Sequence, residues 1–386
     1  MASYPWFNDR SQNAVVAQFI KDKIESSDDF HKNFTPFELC CEIVDKLDQQ
    51  QAFTKDHKVL VIANIEFVYV LKKYYKYHGY DIANLYFLTP CEKKAKWVKN
   101  NGLNVGLYSY EKMDLEVFGM KFDVVVGNPP FNSSVGGIAG TSGNTVLYKS
   151  FRKVSISLLK GNGSLAFITT KGIMSDLKKD GNQIDVLSLM TDTDWWDYNT
   201  CYFIERNYPR VSNSVVYGDS ITVKIFSMSK NEWDRASYSG VAPLKYHNEK
   251  GDIEAIIKCA TKKTNWMPII GLVKDIPHAM RAGPKLISPI LYSKNAILCT
   301  TLPVCAPGCM MVHTNTIEEA ESLKLFVLNN KGFKYFLKKM KFQRGVAEYF
   351  PRAKTFDLSQ IKTGFEYPTE WGLTHDEIQI IEGTIK

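Results

Sequence analysis

FDVVVGNPPFNSS, residues 122–134, sets a hydrophobic run directly against Asn128-Pro129-Pro130-Phe131. Each proline fixes its own φ and lacks a backbone donor. The residue ahead of each proline is pushed into the extended region. The Asn128 side chain, the Pro129 carbonyl and the Phe131 ring are therefore expected in a nearly fixed arrangement at the mouth of a strand. Asn-Pro also initiates ordinary turns, but a hydrophobic strand running into a polar residue, two prolines and an aromatic is a rarer string. It reads as a prepared site.

The flanking sequence supplies the scaffold. KVLVIA, from Lys58, is a short β-branched apolar run suited to a strand covered on both faces. FVYVLKKYYKYHG follows as a helix ending at Gly79. ANLYFLT reads as a second strand, EKKAKWVKN as a helix stopped before Gly102, NVGLYSY as a third strand and FDVVVG as the fourth. After a Gly/Ser/Thr-rich loop (133–144), VLYKSFRKVSISLLK reads as a helix closed by Gly161-Asn162-Gly163, and GSLAFITT as a fifth strand. Ahead of all these, residues 12 to about 52 read helical, with Leu39, Ile43 and Leu47 at helical spacing behind Thr35-Pro36. Strand–helix alternation over 57–171 predicts an α/β fold with a parallel, doubly wound, Rossmann-like sheet. Such sheets bind ligands beyond the carboxyl ends of their strands, where Asn128 falls. From about 184 the pattern changes to short mixed segments, including the two-period stretch ITVKIFSM. That predicts a first domain over 1–183 and a second, mixed α/β or β-rich domain over 184–386, entered through the loop at 175–183.

Composition narrows the class. The chain has 386 residues, 45% hydrophobic and 23% charged, which are ordinary globular values. No apolar run reaches the roughly 20 residues of a membrane span, and the first residues lack a basic region followed by an apolar stretch. The eight cysteines form no C-x-x-C pair, so reduced thiols, a cytoplasmic location and no metal site are expected. Nine Lys or Arg lie between Lys324 and Lys354 against one acid, Glu348, with aromatics interleaved. Two readings stay open for them: a solvated helix face whose aromatics point inward, or a groove that tracks phosphates and stacks bases.

The quartet suits alkylation of a planar amino group on a nucleobase. Such an amine is a poor nucleophile because its lone pair is delocalised into the ring. Acceptors on its hydrogens, the Asn128 oxygen and the Pro129 carbonyl, favour pyramidal nitrogen and localise that pair; proline offers the carbonyl without a competing donor. Phe131 offers a flat face for an extracted base. A sulfonium methyl then needs in-line positioning and no strong general base.

With these residues the chain resembles the adenine-specific (N-6) DNA methyltransferases of the gamma arrangement. NFTPFELCCEIVDKL resembles their Phe-Thr-Pro element, MDLEVFGMKFDVVVGNPPF their spacing from an Asp to the quartet, and AESLKLFVLNNKGFKYFLKKMKF a helical segment of their target-recognition region. The resemblance implies a methyltransferase sheet with a target-recognition domain, S-adenosylmethionine as cofactor and double-stranded DNA as substrate. Thr35 and Pro36 would border the methionine part of the cofactor, Asp114 its adenine, and Asn128, Pro129, Pro130 and Phe131 would be catalytic. Where the family carries a Gly-rich turn, this chain has Ala63, Asn64, Ile65 and Glu66. Glu66 or Glu92 would then take the cofactor ribose. Lys334, Lys338, Lys339, Lys341 and Arg344 would contact DNA phosphates, the duplex lying between the sheet edge and the distal domain. A separately encoded restriction endonuclease is an expected partner, and the chain is expected as a monomer or homodimer. Alternatives are RNA guanine or protein glutamine as methyl acceptor, and a nucleic-acid-binding protein without cofactor binding.

Overall fold

A computed structural model describes residues 4–7, 16, 18, 35–108, 115–130, 147–191, 200–228, 233, 236–239, 251–258, 260, 265, 267–274, 282–289, 296–306, 309–340 and 350–385. The chain divides into two compact units, one of residues 1–196 and 200–217, the other of 197–199 and 218–386.

In the first unit, α1 (Phe37–Gln49) buries Leu39, Ile43 and Leu47 behind Pro36 at its N-cap. The sheet begins with β1 (Val59–Ile62), buried at all four positions. Helix α2 (Ile65–His78) follows, closed by Gly79 at φ 69°. Then come β2 (Leu85–Thr89), α3 (Glu92–Asn100), β3 (Asn104–Leu107), β4 (Phe122–Gly127), α4 (Leu147–Ser157) and β5 (Leu159–Thr170). Strands β1 to β5 pair in parallel in the order β3-β2-β1-β4-β5. The order reverses between β1 and β4, so the topological switch point lies there. The predicted α/β, doubly wound architecture is the one observed.

Two sequence expectations need correction. Gly161-Asn162-Gly163 does not close a helix: α4 has already ended, and all three residues lie inside β5. Phe122 pairs with Leu159 but Val124 with Ser164, so β5 bulges across 160–163, with Asn162 taking φ 64°. Small and turn-prone residues accommodate an irregular strand as well as a helix stop. The domain boundary also moves. After α5 (Met174–Lys179), β6 (Asn182–Ser188), β7 (Thr200–Pro209) and β8 (Val215–Tyr217) extend the same sheet in the order β5-β7-β6-β8. Strand β7 runs antiparallel to both β5 and β6, making the sheet mixed. Strands β6 to β8 therefore belong with the first unit, because they complete its sheet.

The second unit contains a four-stranded antiparallel sheet in the order β13 (Leu298–Thr300), β12 (Lys285–Pro289), β14 (Cys309–His313), β9 (Ala236–Ser239). A two-stranded pair, β10 (Ile253–Lys258) with β11 (Ile269–Val273), stands beside it in the chain order. Its helices include α6 (Ser220–Ile225), α7 (Ile317–Asn329), α8 (Lys331–Met340) and α9 (His375–Thr384). The two-period stretch at 221–228 is thus partly helical: Asp219 accepts a hydrogen bond from Thr222 N, and Ile221 and Ile225 are buried one turn apart. Cys309 is disulfide-bonded, against the expectation of reduced thiols, while Cys40, Cys41, Cys91, Cys201, Cys299 and Cys305 are free. Among the described residues no helix is long and apolar enough to cross a membrane.

Candidate active site

Strands β1 and β4 end side by side, Ile62 opposite Gly127. Gly127 is required there: a Cβ on it would stand 2.4 Å from the Ile62 carbonyl oxygen. The chain leaves β1 through Ala63 in the left-handed region, φ 62°, a conformation usually taken by glycine. Asn64 then caps α2, its Oδ1 accepting from Phe67 N at 2.8 Å. From the end of β4 the chain passes straight into Asn128-Pro129-Pro130, with Asn128 9% exposed.

Four sequence-predicted residues converge at this edge. Asn64 Nδ2 donates to Thr35 Oγ1 at 2.7 Å, and Asn128 Nδ2 donates to the same oxygen at 3.2 Å. Thr35 N donates to Glu66 Oε1 at 3.2 Å. Thr35, Asn64 and Glu66 are all buried, as is Lys94 on α3. Burial pushes the Glu66 carboxyl up to about 7; hydrogen bonds from its own N–H and from Thr35, and the charge of Lys94, only partly offset this. The Asn64 and Glu66 side chains are thus engaged within the protein. Pro36 holds the N-cap of α1 beside Thr35.

Other predicted residues lie elsewhere. Glu92 is exposed at the first position of α3, with no bond to the cluster among the described residues. Asp114, Phe131, Lys341 and Arg344 fall outside the described residues. On α8, Phe333, Tyr335 and Phe336 are buried, so these aromatics build core and do not offer faces to bases. Phe333 packs edge-on to Phe350 with centroids 5.8 Å apart, and Lys339 Nζ lies 5.7 Å from the Tyr335 ring centre. Lys334 is half-buried and Lys338 exposed. Among the described residues no group of His, Cys, Asp and Glu is placed to hold a metal ion.

Sequence reasoning missed two features of this edge. Lys94, read only as part of a basic helix, is buried near Glu66. Thr169 Oγ1, on β5, is buried with no hydrogen-bond partner among the described residues. It stands two residues beyond Phe167, the partner of Gly127. Neither carries a motif; only the burial of a polar residue within an apolar strand, FITT, hinted at the second.

Residues 28–188 match the family described as Eco57I restriction-modification methylase, a span that includes Thr35, Asn64, Glu66 and Asn128. No curated protein matches the chain. Among solved structures, it is similar to a Listeria monocytogenes protein described as a class I S-adenosylmethionine-dependent methyltransferase, at 11% identity over 53% of this chain and 71% of that one, with a TM-score of 0.41. The M protein of the type I restriction enzyme EcoKI matches at 16% identity over 50% of this chain and 46% of its own, TM-score 0.35. The methyltransferase subunit of a type I restriction-modification system from Streptococcus thermophilus matches at 16% over 51% and 48%, TM-score 0.36. The chain spans about half the length of these two type I proteins, and its segment 28–188 is similar to restriction-modification methylases.

Proposed function

We propose that this chain transfers a methyl group from S-adenosylmethionine to the 6-amino group of adenine in double-stranded DNA. The observation that carries the reading is the station of Asn128-Pro129-Pro130 at the carboxyl end of β4, next to the switch point of a doubly wound sheet. The similarity of residues 28–188 to restriction-modification methylases supports it.

The residues at this edge fit the cofactor. The chain leaves β1 at Ala63 in the left-handed region, and the buried Thr169 hydroxyl has no hydrogen-bond partner among the described residues. The backbone of Thr35-Pro36 and of Ala63-Asn64, with Asn128, would hold S-adenosylmethionine, which when bound supplies an electrophilic sulfonium methyl. The chain's own part is to orient and to polarise. Asn128 Oδ1 and the Pro129 carbonyl accept the two amino hydrogens of an extruded adenine and localise the nitrogen lone pair. The Pro129 carbonyl lies on rigid backbone and the Asn128 side chain is carried by it, because two prolines follow Asn128. Positioning then lowers the barrier without a strong base: the sulfur–methyl bond breaks to a neutral thioether as the nitrogen–methyl bond forms, and the surplus proton on the methylated nitrogen passes to water.

In this reading the second unit recognises the target sequence, and the lysines of α8 add affinity for phosphates. The protein would act in the cytoplasm, as a monomer or homodimer, beside a separately encoded endonuclease. Methylation-sensitive sequencing of DNA from cells expressing the protein tests the reading: N6-methyladenine at a defined sequence supports it, and unmodified DNA opposes it.

A further inference from the structure

We infer that Thr35, itself held by Asn64, is a positioning residue that fixes which end of the Asn128 amide faces the reacting nitrogen. This rests on the methyl-transfer reading above.

The direction of the Asn64 bonds follows from donor chemistry, and the Asn128 amide stands with Nδ2 toward Thr35. Phe67 N–H can only donate, so the atom of Asn64 facing it is the oxygen, Oδ1. That leaves Asn64 Nδ2 for the Thr35 hydroxyl, 2.7 Å away. The place of Thr35 is set independently by its backbone N–H on Glu66 Oε1. A threonine hydroxyl has two acceptor positions. Asn64 Nδ2 fills one and Asn128 Nδ2, at 3.2 Å, the other. With its nitrogen turned to Thr35, Asn128 directs Oδ1 away from it as an acceptor. Flipping the amide would present Nδ2 to an amino group, donor against donor, and the lone pair would stay delocalised.

The arrangement depends on the side chain at position 64. A glycine in place of Asn64 could cap α2 but could offer Thr35 no side-chain donor. Asn64 does both, which gives a physical reason for an asparagine in a turn where a glycine-rich sequence is expected. It also changes the role of Thr35: its oxygen faces the asparagines, so loss of the hydroxyl should affect chemistry more than cofactor affinity.

The test compares Thr35→Val, Thr35→Ser and Asn64→Ser in the full chain, with two readouts. The first is kcat for DNA methylation alongside the Kd for S-adenosylmethionine by calorimetry. Thr35→Val should lower kcat by about 100-fold, the scale of a small misplacement at a reacting centre. The Kd should stay within about threefold, and Thr35→Ser should recover most of the lost turnover. The second readout is the side-chain amide resonance of Asn128 in protein labelled with 15N-asparagine, assigned by its loss in Asn128→Asp. Thr35→Val should shift it and Thr35→Ser should restore it. Asn64→Ser retains a capping oxygen for α2, so the shift can be read in a folded protein even if Thr35→Val does not fold. Unchanged kcat with weakened cofactor binding in Thr35→Val overturns the inference, as does an Asn128 resonance that ignores both Thr35→Val and Asn64→Ser. A folded wild-type protein that neither binds S-adenosylmethionine nor methylates DNA overturns the functional reading instead, and the amide resonance still decides the hydrogen-bond relay.

Discussion

Asn128 and Thr35, 93 positions apart in the chain, meet through a buried side-chain hydrogen bond of 3.2 Å at the end of β4. This contact ties the proline-locked strand end to the segment ahead of α1. It makes the two parts of the sequence that carry the methyltransferase resemblance into one site.

On the proposed mechanism, replacing Asn128 by alanine removes an acceptor needed most in the transition state and touches no residue proposed to contact DNA phosphates. Methyl transfer should be lost, and DNA affinity measured by fluorescence anisotropy should stay within a few-fold. Turnover near the wild-type rate would remove Asn128 from the mechanism.

Glu66 gives stability a defined pH dependence. Its folded pKa of about 7 lies above the ordinary 4.5. The native state therefore keeps a proton that the unfolded chain has released. This contribution is full below about pH 4.5 and is lost as pH rises through 7. Glu66→Gln, which keeps an acceptor for Thr35 N, should remove that fall, worth about 3 kcal/mol between the two limits. Urea denaturation at pH 5 and pH 8 reads the difference, and an equal fall in both proteins would rule out Glu66 as its source.

Gly127→Ala sets a methyl group 2.4 Å from the Ile62 carbonyl oxygen. Since that contact is backbone on both sides, β1 and β4 must separate. The expected loss is on the order of 1–3 kcal/mol, with a displaced Asn128 and reduced methylation. A melting temperature equal to wild type would show that the strands absorb the methyl group without strain.

The basic segment predicts a salt effect. Replacing Lys338, Lys339 and Lys341 together should weaken binding to all DNA sequences alike and flatten the slope of log affinity against log salt by up to about three counterions. An unchanged slope would return the cluster to the solvated-face reading, in keeping with the burial of Phe333, Tyr335 and Phe336 on α8.

The first five strands were legible because their residues are apolar and β-branched, as a parallel sheet between helices requires. Strands β6 and β7 were not, because polar residues interrupt them, and β8 is only three residues long. Glu205 of β7 is fully buried, where its Oε2 accepts from Arg152 Nε at 2.7 Å. A strand carrying a buried carboxylate does not look like core until its partner on α4 is known. The bulge in β5 was hidden for a related reason, since glycine and asparagine mark bulges and helix ends alike. At the site, Thr35, Asn64, Glu66 and Asn128 could each be named from the chain. Their hydrogen bonds could not, because they join residues 29, 31 and 93 positions apart. The aromatics of α8 were ambiguous between core and base-stacking roles, and burial decides for core.

The central claim is methyl transfer to adenine, and the most direct measurement is single-molecule sequencing of DNA from cells that express either the intact chain or Asn128→Ala. The account predicts N6-methyladenine at one recurring sequence with the intact chain and none with the variant. Unmodified DNA in cells containing the folded intact protein, or equal modification in both, would contradict it.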